Sequence, residues 1–107
     1  MGMAQPTVTA GMLADVRKVV AAGWTTKAYA RTPDGLAAHP ATPEANQFCL
    51  VGAVRRAFGW TPTGNAVADF LYEAVPKPQS LHDFNDASTH EGVLQFLDQQ
   101  IAKLEMT

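Results

Sequence analysis

A single cysteine and three histidines are the side chains of this chain best suited to catalysis. Cys49 is the only cysteine among 107 residues, and a cysteine attacks a substrate as its thiolate, which needs a nearby base and a positive environment. The candidate bases are His39, His82 and His90, and the candidate groups to orient a base are Asp83, Asn85 and Asp86. The catalytic candidates are therefore Cys49, His82 and Asp86. The favoured alternative is that Cys49 is a buried thiol that packs as a small apolar side chain.

The binding candidates lie in two short segments, and each has a structural alternative. Gly52 interrupts an apolar helical pattern, where a glycine costs about 1 kcal/mol relative to alanine. It therefore indicates the close approach of another backbone, with a bound ligand as the alternative. Arg55 and Arg56 form either a solvated or salt-bridged edge of the helix or a site for an anion or phosphate. Asn85 and Asp86 either fold back onto the backbone as turn and capping groups or bind a polar ligand beside Gly52.

No metal or cofactor site is predicted. His82, Asp86 and His90 are spaced by four residues, which on one continuous helix would make a metal-binding face. Residues 85–89 are rich in turn formers, and such a stretch argues against a continuous helix. We therefore expect neither a metal ligand set nor a cofactor.

The elements that position these residues begin with an amphipathic helix. Apolar side chains recur at helical spacing from residue 10 to residue 22. Thr9 is a suitable N-cap, and Gly23 stands where a left-handed C-cap belongs. Residues 1–8 precede this pattern and are predicted to form a flexible tail.

A short β-hairpin or extended loop is predicted after the first helix. Residues 32–35, Thr-Pro-Asp-Gly, have the sequence of a β-turn, because proline presets its backbone torsion and glycine adopts the positive one. The predicted strands pair residues near Tyr29 with residues near Leu36. A two-stranded hairpin is marginal in water, so it should lie against the helices with Trp24 as its anchor.

The second helix is predicted to begin after Thr42. Thr42 can cap it, Pro43 suits the first helical position, and Gly59 ends it. Apolar residues between 48 and 58 cover most of its circumference, which is typical of a central core helix. Cys49 would then lie about two turns inside the helix, where the helix dipole lowers a thiol pKa less than it does at the first turn.

Two more helices complete the predicted fold. The third runs from about residue 64 to residue 75 behind a Thr63 cap, and the prolines that follow stop it. Residues 80–86 are expected to form one helical turn. Ser88 and Glu91 make a capping box that opens the last helix, which runs to about Leu104. We therefore predict a mainly α bundle of about four helices, with residues 1–107 forming a single domain.

Composition narrows the classes of protein to which the chain can belong. It is 47% hydrophobic and 17% charged, which is typical of a globular domain. Its formal net charge is −2, and this argues against nonspecific nucleic-acid binding, which normally goes with a basic surplus. No apolar run nears the roughly 20 residues that span a bilayer, and no signal peptide is recognised. One cysteine allows no internal disulfide, so we expect a soluble, cytoplasmic protein.

Two short motifs resemble a known family. Residues 48–53, Phe-Cys-Leu-Val-Gly-Ala, have the pattern aromatic-Cys-x-x-Gly-Ala, and residues 84–86, Phe-Asn-Asp, precede a closing helix. Together they resemble a family of short bacterial and phage proteins with no established activity. The resemblance covers nearly the whole chain and implies the motif positions Cys49, Gly52, Ala53, Asn85 and Asp86. The chain departs from that family in carrying phenylalanine at both aromatic positions, where tryptophan is common.

Three functions are open from the sequence. We favour a noncatalytic accessory or protein-interaction domain of phage or bacterial type, because packing explains most residues and no convincing catalytic set is present. The alternative is a small Cys-dependent enzyme or ligand-binding domain centred on Cys49, Asn85 and Asp86. The weaker alternative is a specific nucleic-acid binder that uses Arg55 and Arg56. The expected partner is a protein and not a membrane, and a homodimer stays open.

Overall fold

The computed structural model describes residues 6–106, and most of these residues are helical. The helices in this range are α1 (Ala10–Ala22), α2 (Leu50–Phe58), α3 (Pro62–Ala74), α4 (Leu81–Ala87) and α5 (His90–Glu105). The strands are β1 (Ala30–Arg31), β2 (Ala37–Ala38) and β3 (Gln47–Phe48). The prediction of a mainly α fold with a short hairpin after the first helix is confirmed, although the described part has one more helix and one more strand than expected.

Two expectations concern the chain start and the membrane. Residues 1–5 of the predicted tail lie outside the described residues, and Val8, near its end, packs against the hydrophobic core. None of the helices between residues 6 and 106 combines the length and the hydropathy that a bilayer crossing requires.

The first helix has the predicted bounds, but Gly23 does not adopt the predicted left-handed conformation. Thr9 caps the helix by accepting a hydrogen bond from Met12 N at 3.2 Å. Gly23 has an extended backbone, with a φ of 179°. A Cβ at this position would lie 1.9 Å from the carbonyl oxygen of Asn46. Glycine is needed here because two backbone segments approach closely, and not because of its torsion angles.

β1 is the central strand of a small antiparallel sheet with the order β2-β1-β3. Ala30 pairs with Ala38 of β2 and with Phe48 of β3. The β1–β2 turn contains Gly35, whose φ of 86° is the positive torsion that the turn sequence predicts. The predicted hairpin is therefore confirmed. β3 was not predicted, because a strand of two residues is too short to show an alternating pattern of apolar and polar side chains.

The second helix begins at Leu50, so the prediction that it begins after Thr42 is wrong. The carbonyl of Thr42 closes a turn with Ala45 N at 3.0 Å, which uses the local capping signals without a helix. The segment that follows is held extended by backbone hydrogen bonds to the carbonyls of Arg31 and Tyr29, at 3.0 and 3.1 Å. Pairing with a distant strand therefore overrides the local helix-start signals.

The end of α2 and the start of α3 both follow local sequence signals, but α3 starts earlier than predicted. α2 ends at Gly59, as predicted. α3 is capped by Thr61 and not by Thr63, and the Thr61 hydroxyl accepts a hydrogen bond from Gly64 N at 3.1 Å. Pro62 then occupies the first helical turn, where the lack of an N–H removes no helical hydrogen bond. This favours the earlier start.

The last two helices are separated by two hydroxyl side chains with different roles. The predicted single turn of residues 80–86 is the longer helix α4, capped by Ser80. Ser88 closes this helix by donating to the carbonyl of Phe84 at 2.6 Å. Thr89 caps α5 by accepting a hydrogen bond from Gly92 N at 2.9 Å. The cap of the last helix is therefore Thr89 and not Ser88 of the predicted capping box.

The core lies where α1, α2 and α5 meet. α1 packs on α5 and α2, and α3 packs on α2. The large apolar side chains that are fully buried are Leu13, Val16, Val20, Leu50, Val54, Val67, Leu71, Val93 and Leu97. α2 thus contacts α1, α3, α4 and β3, and its first turn is surrounded by other elements.

Candidate functional site

A cavity of about 370 Å³ opens where the segment before β1 meets α2 and α4. Its lining residues are Lys27, Ala28, Tyr29, Cys49, His82 and Asp86. The three catalytic candidates, Cys49, His82 and Asp86, therefore line one cavity, although α4 follows Cys49 only after α2 and α3. We refer to it as the Cys49 cavity.

Cys49 is the N-cap of α2, so the prediction that it lies two turns inside the helix is wrong. Its Sγ accepts a hydrogen bond from Gly52 N at 3.2 Å, as the side-chain oxygen of a usual N-cap residue would. The side chain is only 2% exposed. Burial raises the pKa of the Cys49 thiol, and the nearby Asp86 charge adds to this, while hydrogen bonds from the helix N-terminus counteract part of the increase. This environment favours the protonated thiol at neutral pH.

Gly52 brings the backbone of Tyr29 against α2. A Cβ at this position would lie 1.8 Å from the carbonyl oxygen of Tyr29, so no other residue fits without a backbone shift. The favoured interpretation of Gly52 as a close-packing residue is confirmed. Gly52 is buried and holds one wall of the Cys49 cavity in place without lining it.

Asn85 is fully buried and joins three parts of the chain. Its Oδ1 accepts hydrogen bonds from Trp24 Nε1 at 2.8 Å and from Leu50 N at 3.0 Å. Its Nδ2 donates to the carbonyl of Thr25 at 3.1 Å and to Asp86 Oδ1 at 3.2 Å. Asn85 therefore bonds backbone groups that are distant in sequence, where a local turn was predicted. It also anchors Trp24, which was the predicted anchor of the hairpin region.

Asp86 holds the loop that carries Lys27. Its Oδ1 accepts a hydrogen bond from Lys27 N at 3.0 Å. Lys27 has a φ of 63°, a left-handed conformation that few residues other than glycine adopt. The Asp86 carboxylate thus stabilises an unfavourable backbone conformation, and the two residues bring opposite charges to the wall of the Cys49 cavity.

His82 lines the cavity but contacts Tyr29 through its ring. Its ring packs edge-on against Tyr29, with 5.3 Å between the ring centroids. Among the hydrogen bonds of residues 6–106, none joins His82 to Cys49. The other two candidate bases lie elsewhere: His39 packs on Trp60 with centroids 4.9 Å apart, and His90 Nε2 donates to the carbonyl of Val20 at 2.7 Å. A nucleophile–base pair of the kind used in covalent catalysis is therefore not formed by the described side chains.

Arg55 and Arg56 bind the chain itself and lie outside the Cys49 cavity. Arg55 Nη1 donates to the carbonyl of Gly59 at 3.2 Å and to Asn65 Oδ1 at 2.8 Å. Arg56 Nη1 donates to two carbonyls of the loop that contains Thr42, both at 2.8 Å. Arg55 thus joins α2 to α3, and Arg56, which is exposed, holds the Thr42 loop against α2. The use of the pair as an anion site stays a prediction.

The sequence interpretation missed the residues that complete the cavity. Lys27 and Tyr29 were not candidates, and Asp83, a candidate orienting group, does not line it. The sequence could not indicate that Lys27 belongs to the cavity. Its positive φ is stabilised by Asp86, which lies on a distant helix, and lysine is not a residue type that suggests a positive φ. Within residues 6–106 no cluster of three histidine, cysteine, aspartate or glutamate side chains could hold a metal ion.

Comparison with known proteins assigns the chain to a family but not to an activity. A model described as a family of unknown function, DUF6197, matches residues 4–103. No curated protein and no solved structure matches the chain. Because the family model covers nearly all of the sequence, this chain belongs to the family of unknown function DUF6197.

Proposed function

We propose that this protein is a noncatalytic binding domain that holds a small zwitterionic molecule in the Cys49 cavity. The observation that carries this proposal is that a single cavity is lined by a cationic side chain, Lys27, and an anionic one, Asp86. A ligand with an ammonium and a carboxylate group could pair with both. The cavity volume of about 370 Å³ lies in the lower part of the range that small-molecule sites occupy.

The state of Cys49 supports binding over covalent catalysis. Its pKa is raised mainly by burial, and each unit of increase lowers the thiolate fraction about tenfold at neutral pH. Its Sγ is already used as the cap of α2. We assign Cys49 the role of a neutral floor of the cavity, while His82 and Tyr29 form an aromatic wall.

The charge requirement can be tested with three small probes. L-alanine carries both charges, propionate lacks the ammonium group, and ethylammonium lacks the carboxylate. In a titration followed by ¹H–¹⁵N correlation spectra, L-alanine should shift the amide resonances around Lys27 and Asp86, and the two half-molecules should bind at least about tenfold more weakly, which corresponds to the loss of one favourable charge contact. Equal shifts from all three probes, or none from L-alanine, would contradict the zwitterion proposal.

A matched pair of variants tests whether L-alanine binds in the Cys49 cavity or responds only to the general charge of the protein. Asp86→Asn removes the charge but keeps an oxygen that can accept the hydrogen bond from Lys27 N, so the fold should be retained while L-alanine binding is lost. Asp83→Asn changes the same charge on the same helix outside the cavity and should leave binding unchanged. If Asp83→Asn and Asp86→Asn weaken binding equally, the effect is general electrostatics and the proposed site is wrong.

The noncatalytic part of the proposal has its own test. Ellman's reagent should react with Cys49 far more slowly in the native protein than in guanidinium chloride, because the thiol is both buried and protonated. Rapid native labelling at pH 7 would instead support the Cys-dependent enzyme.

A protein-interaction role, of the accessory type that the sequence analysis favours, is the second candidate. Trp60 is 54% exposed, and it lies against His39 and 5.3 Å from the Arg55 guanidinium carbon. Tryptophan and arginine are enriched among residues that dominate binding energy at interfaces. Light scattering tests the homodimer form: a dimer that Trp60→Ala converts to a monomer, while Tyr72→Ala does not, would support it, and a monomer at all concentrations would exclude self-association through Trp60.

A further inference from the structure

A second cavity, about 550 Å³ in volume, lies between α3 and α5. α3 packs mainly on α2 and α5 mainly on α1, which leaves a groove between the two outer helices. Its apolar lining includes Val8, Ala66, Phe70 and Ala74. This α3–α5 groove shares no lining residue with the Cys49 cavity.

The side-chain amide of Gln100, on α5, lines the groove. The residue is 4% exposed, and no hydrogen bond joins its side chain to another residue between 6 and 106, whereas Asn85 bonds several of them. An amide that lines a groove and bonds no described side chain can offer its acceptor and its two donors to a ligand. The groove is the place where such a ligand can reach Gln100.

The rim of the groove adds two carboxylates. Asp69 and Glu73 are exposed and lie one turn apart on α3. Neither takes part in the ion pair found within the described range, which joins Arg17 to Asp98. α5 contributes one cation, Lys103, so the groove carries an excess of negative charge next to an apolar floor.

We infer that the α3–α5 groove binds a peptide segment of a partner protein in which an apolar side chain stands next to a lysine or arginine. The Gln100 amide has one acceptor and two donors, and a peptide bond offers the complementary N–H and C=O. The apolar side chain would pack on Phe70 and Ala74. The basic side chain would meet Asp69 and Glu73. This inference does not depend on the ligand of the Cys49 cavity.

The probe is the blocked dipeptide acetyl-Leu-Arg-amide, with acetyl-Leu-Glu-amide as its charge-reversed counterpart. In ¹H–¹⁵N correlation spectra of the full chain, the first peptide should shift the side-chain NH₂ resonances of Gln100 and the backbone amides near Phe70. The second peptide should bind much more weakly, because its carboxylate would face Asp69 and Glu73. No shift from either peptide, or equal binding of both, would overturn the inference.

Two sets of variants locate the binding. Gln100→Leu should weaken binding of acetyl-Leu-Arg-amide about fivefold, the effect of one lost hydrogen bond, while Gln99→Leu, an exposed neighbour, should leave it unchanged. The double variant Asp69→Asn/Glu73→Gln should remove the discrimination between the two peptides, and Glu105→Gln should keep it. Identical behaviour of each variant and its control would place binding elsewhere and overturn the inference.

Other occupants of the groove give different results. Shifts of the Gln100 NH₂ resonances on dilution of the protein alone would assign the groove to a second copy of this chain. If acetyl-Leu-Arg-amide shifts these resonances only after residues 1–5 are deleted, the groove belongs to the beginning of the chain itself. Either result overturns the assignment to a partner peptide.

Discussion

Asn85 and Gln100 carry the same amide group, and both are buried, but their surroundings differ completely. Asn85 uses both its oxygen and its nitrogen to bond Trp24, Leu50, Thr25 and Asp86. The Gln100 side chain makes no hydrogen bond with another residue between 6 and 106, and it lines a groove. A buried polar group that is fully bonded stabilises a particular arrangement of the chain, whereas an amide that lines a groove is available to a binding partner. The same side-chain chemistry therefore indicates structure in one region and recognition in the other.

The largest effect is expected from Asn85→Ala. It leaves Trp24 Nε1 and Leu50 N without their acceptor in a dry interior, so the free energy of unfolding should fall by about 4 kcal/mol. Urea denaturation measures this change. Asn65→Ala, at an exposed position, is the control and should cost much less. If Asn85→Ala lowers the free energy of unfolding no more than the control does, the hydrogen bonds of Asn85 are not important for stability, and Asn85 and Gln100 do not differ as argued.

Gly52→Ala disturbs the region around Asn85 without changing the Asn85 side chain. The new Cβ would lie 1.8 Å from the Tyr29 carbonyl oxygen, so the backbone must move and stability should fall by about 3 kcal/mol. Gly11→Ala is the matched control, because the nearest atom to its Cβ is 3.8 Å away. That substitution should raise stability by up to about 1 kcal/mol through helix propensity. Thermal melts followed by circular dichroism can compare the two, and equal melting temperatures would show that the close approach at Gly52 is not required.

Gln100→Leu should have a much smaller effect on stability than Asn85→Ala. Within the described residues, Arg55 Nε and not the Gln100 amide is the fully buried side-chain polar atom without a partner, so we expect the free energy of unfolding to change by less than about 1 kcal/mol. Gln99→Leu, at an exposed position, should change it little. A clear loss of stability in Gln100→Leu would mean that Gln100 has a partner in the folded protein and that the two regions are alike.

The smallest expected effect is the pH dependence of stability that Cys49 causes. It tests whether water is excluded from the region around Asn85. Burial raises the thiol pKa above its ordinary value of 9.0, so the folded state keeps its proton where the unfolded state loses it. The resulting stability is fully present below pH 9 and is lost as the pH rises through the folded pKa, with less than about 1 kcal/mol lost at pH 9.5. Cys49→Ala should be less stable at every pH because the cap is gone, but its stability should decline less steeply above pH 9. Parallel declines would show that the thiol is solvated in the folded state.

Much of the helical framework could be predicted from short stretches of sequence. The Thr9 cap, the bounds of α1, the turn at Gly35 and the end of α2 at Gly59 were all predicted correctly. Each depends on hydrogen bonds or torsion angles within a few residues, which residue types report directly. The start of α2 was predicted wrongly for the opposite reason. The Thr42 signals are real, but the segment after them pairs with β1, and a local pattern cannot report a strand partner.

The candidate site was likewise predicted in part from local sequence, while its arrangement depends on tertiary structure. Residue types alone identified Cys49, His82 and Asp86 as chemically capable, and Gly52 as a point of close approach. Only the folded chain decided that Cys49, His82 and Asp86 line one cavity, and that Cys49 caps α2. It also decided that Gln100 lines an open groove. The bonds of Asn85 to Trp24 and Leu50 span 61 and 35 residues. Sequence determines what a side chain can bond, and tertiary packing determines which groups come within reach of it and whether water is still there to compete.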